Sequence, residues 1–196
     1  MSRALISVYS KEGLEDFAHF ISGLGVEIVS SGGTAGFLQN AGLKVTPVGE
    51  MTGFPEVLDG RVKTLHPRVH AGILARRHLS ADMDTLKAHS IEAVDWVVVN
   101  LYPFREKLME LRDEKALLEF IDIGGPTMIR AAAKNFYDVI VVCDPSDYTW
   151  IRTEYERTGG LSLERRRYLA AKVFSLMSDY DGAIAGYLRE SDGGNS

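Results

Sequence analysis

The sequence predicts an α/β fold in which helices cover both faces of a mainly parallel β-sheet. Short apolar runs alternate with helical patterns through the first 150 residues. Several of these runs, such as Trp96-Val97-Val98-Val99, are apolar without alternation, which is typical of strands buried on both faces. The chain has 196 residues, of which 45% are hydrophobic and 25% charged, so one soluble domain with a full-sized core is expected.

Three predicted strands lie in the first quarter of the chain. They cover residues 4–8, 26–29 and 44–48. Residues 11–22 carry apolar side chains at helical spacing, and Gly23 and Gly25 end that helix. A Ser-Gly-Gly-Thr turn at 31–34 leads into a short helix that ends at Asn40.

Two later strands and the C-terminal helices complete the predicted three-layer α/β/α architecture. The strands cover residues 95–100 and 137–143, and the helices cover 127–135, 147–157 and 163–188. We expect a single domain over 1–190, with its α/β core at about 1–145 and a helical extension at about 146–190. The polar, glycine-rich residues 191–196 are expected to form a flexible tail.

Composition excludes several classes of function. No apolar run reaches the 18 residues of a membrane span, and the N-terminus carries no signal-peptide pattern. A lone cysteine, Cys143, favours a reducing compartment and a cytoplasmic protein, and the five histidines show no metal-ligand spacing. The net charge of −5 disfavours a nucleic-acid surface but allows an anionic small molecule held by local cations.

The Ser31-Gly32-Gly33-Thr34 turn is a candidate anion site. Its glycines let the backbone approach an anion closely, and the helix that follows offers free amides and a positive dipole end. Lys11, in the first turn of the preceding helix, could add a cation. An ordinary glycine turn with a capped helix and a solvated lysine is the alternative.

Residues 60–67, Gly-Arg-Val-Lys-Thr-Leu-His-Pro, form a second candidate segment with little helix character. In an extended chain Arg61 and Lys63 point to the same side, where two like charges fit either around an anion or on open surface. His66 precedes proline and is predicted to be extended. Open surface is the default interpretation of this spacing taken alone.

Residues 122–135 and Tyr102 are the remaining candidates. Gly124-Gly125-Pro126 exposes amides at a predicted helix start, and Arg130 and Lys134 share one helical face. Asp122 could be no more than a cap or an ion-pair partner. Tyr102 follows a buried strand and could be simply a half-buried ring with its hydroxyl at the surface.

Taken together, these motifs resemble the inosine monophosphate (IMP) cyclohydrolase family in both order and spacing. The resemblance covers essentially the whole chain, and the Arg-Val-Lys-Thr-Leu-His-Pro run is its most specific part. The shared motifs are Ser-Gly-Gly-Thr, Thr-Gly-Phe-Pro-Glu, Gly-Arg-Val-Lys-Thr-Leu-His-Pro, His-Ala-Gly-Ile-Leu, Asn-Leu-Tyr-Pro-Phe, Asp-Ile-Gly-Gly-Pro, Ala-Ala-Ala-Lys-Asn and Tyr180-Asp181.

The resemblance implies a Rossmann-like fold similar to methylglyoxal synthase. It implies closure of 5-formamidoimidazole-4-carboxamide ribonucleotide to IMP and water, the last step of purine biosynthesis, without a cofactor or metal. It also implies a homodimer, and a folate-dependent formyltransferase domain that this sequence does not contain. A methylglyoxal synthase-type lyase and a non-catalytic nucleotide-binding module are the alternatives.

The resemblance further implies the residues of the site. The implied catalytic residues are Lys63, Tyr102, Asp122 and Lys134. The implied substrate contacts are Tyr9, Ser10, Lys11, Ser31, Gly32, Gly33, Thr34, Arg61, Val62, Thr64, Val99, Asn100, Ile123 and Gly124. We assign the phosphate to the 31–34 turn with Lys11, and oxyanion stabilisation to Lys63, Asn100, Tyr102 and the amides near Gly124. Lys134, tuned by Arg130 and Asp122, is the first candidate for proton transfer.

Overall fold

A five-stranded parallel sheet organises the chain, of which the computed structural model describes residues 2–192. The strands are β1 (Arg3–Val8), β2 (Glu27–Ser30), β3 (Val45–Pro47), β4 (Trp96–Asn100) and β5 (Ile140–Val142). They lie in the order β3-β2-β1-β4-β5, and all four neighbouring pairs are parallel. The predicted α/β class is therefore confirmed.

Helices occupy most of the connections between strands. They are α1 (Leu14–Gly23), α2 (Gly32–Asn40), α3 (Val48–Thr52), α4 (Pro67–Leu74), α5 (Ser80–Ala88), α6 (Phe104–Glu110), α7 (Glu114–Leu118), α8 (Gly124–Lys134), α9 (Tyr148–Thr158) and α10 (Leu163–Asp192). A 3₁₀ turn over Pro145–Asp147 precedes α9. No helix in this described part of the chain is both long and apolar enough to cross a bilayer.

Two groups of helices pack on the sheet. In the first group α1 meets α9, where the Phe17 ring stacks on Tyr148 with centroids 4.3 Å apart. In the second group α8 contacts β4, β5, α4 and α10. The three consecutive alanines 131–133 are all buried, so small side chains let α8 lie close to its neighbours.

The C-terminal helix α10 buries one stripe of its surface. The buried residues are separated by one, three, four and three positions, which is the pattern of an amphipathic helix; they are Leu169, Ala170, Val173, Met177 and Tyr180. The helix runs past the predicted end at residue 188 and includes Ser191 and Asp192. The rest of the expected flexible tail, residues 193–196, lies outside the described residues.

Several predicted boundaries move for local reasons. The first helix starts at Leu14 because Gly13 is left-handed, with φ at 63°. Strand β3 ends at Pro47, which removes a ladder donor, and Val48 already belongs to α3. Helix α8 begins at Gly124, three residues before the predicted start.

The sheet order places a crevice at the carboxyl ends of β1 and β4. These two strands are neighbours in the middle of the sheet. The chain continues from β1 towards β2 at one edge and from β4 towards β5 at the other edge. Ligands bind at such a switch point in open parallel sheets. The loops after β1, β2 and β4 all meet at this edge.

Candidate active site

Asn100 ties together the two loops at the switch point. Its side-chain Oδ1 accepts hydrogen bonds from the backbone amides of Tyr9, at 2.6 Å, and Ser10, at 2.9 Å. Its Nδ2 donates to the Ser10 carbonyl at 3.0 Å. Because Asn100 lies opposite Val8 in the sheet register, one amide side chain fixes the loop that carries Lys11.

The glycine turn at residues 31–34 forms the N-terminus of α2. Ser31 is the extended residue before the helix, and Gly32 is left-handed, with φ at 52°. The Ser31 hydroxyl is buried without a hydrogen-bond partner among the described residues. Free first-turn amides beside an unpartnered hydroxyl suit an anion.

Lys11 reaches the same turn from the β1 loop. Its Nζ donates to the carbonyls of Val8 and Tyr9, and to Thr34 Oγ1 at 3.3 Å. Burial lowers the pKa of the Lys11 ammonium. The Thr34 hydroxyl donates to the Val8 carbonyl at 3.0 Å, so its proton is already engaged and Thr34 would meet an anion through its backbone amide.

A tight turn delivers Lys63 to the glycine turn. Leu58, Asp59 and Gly60 are consecutive left-handed residues, and Val57 and Val62 close the turn with paired backbone hydrogen bonds of 3.2 and 3.3 Å. The Lys63 Nζ lies 3.5 Å from the point where a Cβ on Gly32 would stand. The ammonium group therefore faces the amino end of α2.

Arg61 and His66 lie on either side of this lysine and make structural contacts. Arg61 pairs with Glu119 at 3.3 Å on an exposed rim, which relieves its repulsion of Lys63. His66 is extended, as predicted, and its Nδ1 accepts from the Arg68 amide at 3.1 Å at the start of α4.

The amino end of α8 closes the cleft from the other side. A Cβ on Gly124 would stand 2.6 Å from Thr64 Oγ1, so a glycine lets this helix start against the 60–67 segment. Asp122 Oδ1 accepts from the Gly125 amide at 3.0 Å, so the carboxylate satisfies one free amide in the first turn of α8. Burial raises the pKa of the Asp122 carboxyl, although the Gly125 amide and the Lys63 charge act against the shift.

Tyr102 forms an aromatic wall between the two loops. Its ring centroid lies 5.2 Å from that of Tyr9 and 6.0 Å from that of Phe120. Burial raises the pKa of the Tyr102 hydroxyl, and the Asp122 and Tyr9 charges add to the shift. The hydroxyl consequently stays protonated at neutral pH and can donate a hydrogen bond.

These groups line two adjoining cavities that form one cleft. A cavity of about 280 Å³ contains the anion turn, and one of about 530 Å³ contains the 58–65 and 118–125 segments. Both are lined by Ser7, Lys63, Tyr102 and Asp122. The predicted contacts that line one of the two cavities are Tyr9, Lys11, Ser31, Gly33, Thr34, Arg61, Val62, Thr64, Asn100, Ile123 and Gly124.

Other predicted residues are placed differently. Val99 is 1% exposed, and its side chain packs in the sheet core. Ser10 and Gly32 adjoin the cleft through the Asn100 and Lys63 contacts already described. Lys134 ends α8, about 15 Å along the helix from Gly124 at 1.5 Å per residue. Arg130 pairs with Asp181 of α10 at 3.3 Å, and its role in tuning Lys134 stays a prediction.

Sequence reasoning missed Ser7 and the 118–121 segment. Ser7 is the one polar residue among positions 4–8. A hydroxyl near the carboxyl end of an otherwise apolar strand could have marked it as a candidate site residue. Leu118, Glu119 and Ile121 line the larger cavity but carry no motif that would have marked them.

A larger cavity of about 670 Å³ lies between α1 and α9 and is a poor anion site. Several carboxylates line it, and they would repel a phosphate. They are Glu12, Asp16, Asp144 and Glu156. In the described part of the chain, no group of three or more His, Cys, Asp or Glu side chains could hold a metal ion.

Comparison with known proteins identifies the family of this chain. The MGS-like domain family matches residues 13–127, and the AICARFT/IMPCHase bienzyme family matches residues 132–196. The chain is 57% identical over 186 residues to the bifunctional purine biosynthesis protein PurH of Clostridium beijerinckii. It is 55% identical over 183 residues to PurH of Aquifex aeolicus. These matches cover 95% and 93% of the chain, but only 37% and 36% of the relatives.

A solved structure gives the same result for the fold. The structure described as "Crystal structure of ForH" superposes with a TM-score of 0.84 at 35% identity, covering 94% of this chain and 95% of that one. The MGS-like match spans the chain from α1 to the start of α8, and the bienzyme match begins near the end of α8 and covers β5, α9 and α10. The chain therefore belongs to the MGS-like domain family, as the portion that it shares with the bifunctional purine biosynthesis proteins.

Proposed function

We propose that the chain is an IMP cyclohydrolase that closes the pyrimidine ring of 5-formamidoimidazole-4-carboxamide ribonucleotide. The observation that carries the proposal is the single cleft that joins an anion-suited helix terminus to Lys63, Tyr102 and Asp122. A ribonucleotide monophosphate needs both parts, an anion site and a reactive end. The similarity to PurH proteins supports the same assignment.

The phosphate is assigned to the amino end of α2. The first-turn amides, the Ser31 hydroxyl and the Lys11 ammonium would surround three of its oxygens. Lys63 lies between this turn and the cleft cavity of about 530 Å³, so it can contact the substrate at either end. The base would then extend past Tyr102 towards Asp122 and Gly124.

The chemistry requires an amide nitrogen to attack a formamide carbonyl in the same molecule. Attack forms a carbon–nitrogen bond and places negative charge on the former carbonyl oxygen. The positive charge of Lys63 and the hydrogen bond from Tyr102 suit that oxyanion. The Asp122 carboxylate, with its pKa raised by burial, suits the removal of the amide proton.

Water leaves in the second half of the reaction, and its departure restores a planar ring. The oxygen takes one proton to become a hydroxyl and a second as the carbon–oxygen bond breaks, and Tyr102 or the protonated Asp122 can supply the second. These two protons equal the one lost by the attacking amide nitrogen and the one lost by the former formamide nitrogen when the ring double bond forms. Only protons and water move, so neither a redox group nor a carbon donor enters the balance. We therefore expect turnover with no added cofactor or metal.

The direct test is incubation of the purified chain with the formamido ribonucleotide while the purine absorbance is followed. Growth of that absorbance without folate, and in the presence of a chelator, supports the proposal. Loss of activity with chelator and its return with zinc would contradict the cofactor-free route. Absence of IMP with a folded protein would contradict the function itself.

Two other functions remain as outcomes of the same assay. A lyase of the methylglyoxal synthase type would release inorganic phosphate from a triose phosphate. A binding module would bind IMP without forming it. The lyase does not explain the motifs at residues 60–67 and 122–135, and the cluster of Lys63, Tyr102 and Asp122 disfavours a module that only binds. We also expect a homodimer, which light scattering would test, and a cytoplasmic location. Formyl transfer is expected from the remaining part of the bifunctional relatives.

A further inference from the structure

Tyr180 of α10 connects the C-terminal helix to the segment that carries Asp122. The Tyr180 hydroxyl accepts a hydrogen bond from the Asp122 backbone amide at 2.8 Å and donates one to the Phe120 carbonyl at 3.1 Å. Residues 120 and 122 belong to the turn between α7 and α8, outside both helices. One phenol therefore satisfies two backbone groups of this irregular segment.

The ring of Tyr180 is held in place by packing. Tyr180 is 8% exposed, and its ring meets that of Phe104 edge-on at 6.4 Å. Its helix contacts α6, α8 and β5, so the hydroxyl is carried by a rigid element. A phenol fixed in this way restrains the turn more tightly than a solvent contact would.

We infer that Tyr180 is a positioning residue for the ring-closing reaction, acting through Asp122. The inference rests on the proposed function. The Asp122 carboxylate is anchored on one side by the Gly125 amide, and its backbone is anchored on the other side by Tyr180. The two anchors together fix the direction in which the carboxylate faces Lys63 and Tyr102.

The inference also explains what the second family segment adds to the first. Asp122 lies within residues 13–127, the MGS-like part, and Tyr180 lies within residues 132–196, the bienzyme part. The long C-terminal helix thus supports a cleft that is lined by residues from earlier in the chain. Removal of the hydroxyl should loosen the reactive end of the cleft and leave the anion end unchanged.

The test compares Tyr180→Phe with two control variants. Tyr168→Phe removes a hydroxyl from the exposed part of the same helix, about 18 Å away at 1.5 Å per residue. Phe104→Leu weakens the packing around Tyr180 without removing its hydroxyl. Steady-state kinetics are measured for each variant well below its unfolding midpoint.

We expect Tyr180→Phe to lower kcat by about 3- to 30-fold, because the variant loses both neutral hydrogen bonds that hold the Asp122 segment and part of their energy is lost in the transition state. The KM should change by less than about twofold, because the phosphate is held elsewhere. Tyr168→Phe should match the wild type, and Phe104→Leu should lose stability more than turnover. In an Asp122→Asn background, Tyr180→Phe should cost little more, because the group it positions has already lost its function.

The inference is overturned if the wild type forms IMP and Tyr180→Phe turns over at the wild-type rate. It is also overturned if Phe104→Leu shows the same loss of kcat for an equal fall in unfolding midpoint, or if the Tyr180 and Asp122 effects simply multiply. A wild type that forms no IMP contradicts the proposed function instead, so the two failures are distinguishable.

Discussion

Asn100 and Ser10 are joined by two hydrogen bonds of opposite direction across the switch point of the sheet. The Asn100 side chain accepts from the Ser10 amide at 2.9 Å and donates to the Ser10 carbonyl at 3.0 Å. A carboxamide can do both, whereas an ionised carboxylate has no hydrogen to donate. The contact therefore explains an amide, rather than a carboxylate, at the end of β4.

Replacement of this residue tests whether the contact positions the substrate loop. Asn100→Asp loses the donor and places a carboxylate oxygen against the Ser10 carbonyl, beside the anion site. We expect the KM for the ribonucleotide to rise at least about tenfold. Asn40→Asp, which adds the same charge at an exposed position at the end of α2, is the control. An unchanged KM in Asn100→Asp would separate this loop from substrate binding.

Gly33→Val tests the anion site directly. A Cβ on Gly33 would meet no atom of the described residues within 4 Å, so the valine fits into open space that the phosphate would use. We expect the KM to rise by at least about tenfold with little change in unfolding midpoint, since space and not backbone geometry is altered. Gly36→Val, one turn further along α2, is the matched control. Equal KM values for the two variants would refute the site.

The two candidate lysines should behave differently. Lys63 lines both cavities of the cleft, whereas Lys134 lies at the opposite end of α8. We expect Lys63→Ala to lower kcat by about 10²- to 10⁴-fold with the unfolding midpoint near that of the wild type. If the cleft of one chain is the complete site, Lys134→Ala retains turnover. A comparable loss in Lys134→Ala would show that the family-derived role holds and that the site is not confined to this cleft.

The sheet was predictable because its strands are buried on both faces. The unbroken apolar run 96–99 predicted β4, and the glycine turn that follows β2 marked the carboxyl end of that strand. The helices α3 to α7 were not predicted. They have only five to nine residues, too few to show a clear apolar stripe.

The site was only partly predictable, because motif order does not show distance. Lys63 and Asp122 occur in motifs far apart in sequence, and the topology brings both to one cleft. Lys134 was grouped with them through its motif, although a straight helix separates it from Asp122. Ion pairs with Glu119 and Asp181 explain how Arg61 and Arg130 tolerate neighbouring lysines, and periodicity could not have found those partners.

Lys172 provides a prediction about stability. Its Nζ pairs with Asp144 at 2.6 Å and with Asp147 at 2.7 Å, and Asp147 is 3% exposed. Lys172→Met leaves a buried carboxylate with the Trp150 indole as its remaining side-chain donor. We expect the free energy of unfolding at pH 7 to fall by about 2–4 kcal/mol.

Urea denaturation measures this loss against a surface control. Arg152→Met breaks an exposed pair with Glu156 on α9, and we expect a change of about 0.3–0.5 kcal/mol or less. Similar values for the two variants would mean that the Asp147 carboxylate finds water when the lysine is removed.

The ionised Asp122 carboxylate should lower the stability of the folded protein at neutral pH while it serves the reaction. Burial raises the pKa of its carboxyl in the folded protein, so the protonated form is the one that folding favours. The stability contribution is complete below the unfolded pKa, about 4, and is lost as the pH rises through the folded pKa. At pH 7 the ionised carboxylate therefore costs stability. Asp122→Asn removes that charge and keeps an oxygen for the Gly125 amide.

We accordingly expect Asp122→Asn to be more stable than the wild type at pH 7 and to lose about 10²- to 10⁴-fold in kcat. The difference in unfolding midpoint should shrink towards zero near pH 3, where the wild-type carboxyl is protonated in both states. Asp113→Asn makes the same change at an exposed cap, where the side chain accepts from the Ala116 amide at 3.2 Å, and it should alter neither property. The prediction fails if Asp122→Asn is less stable than the wild type at pH 7, or if it is stabilised equally at both pH values. The contacts of the carboxylate would then outweigh the cost of its burial.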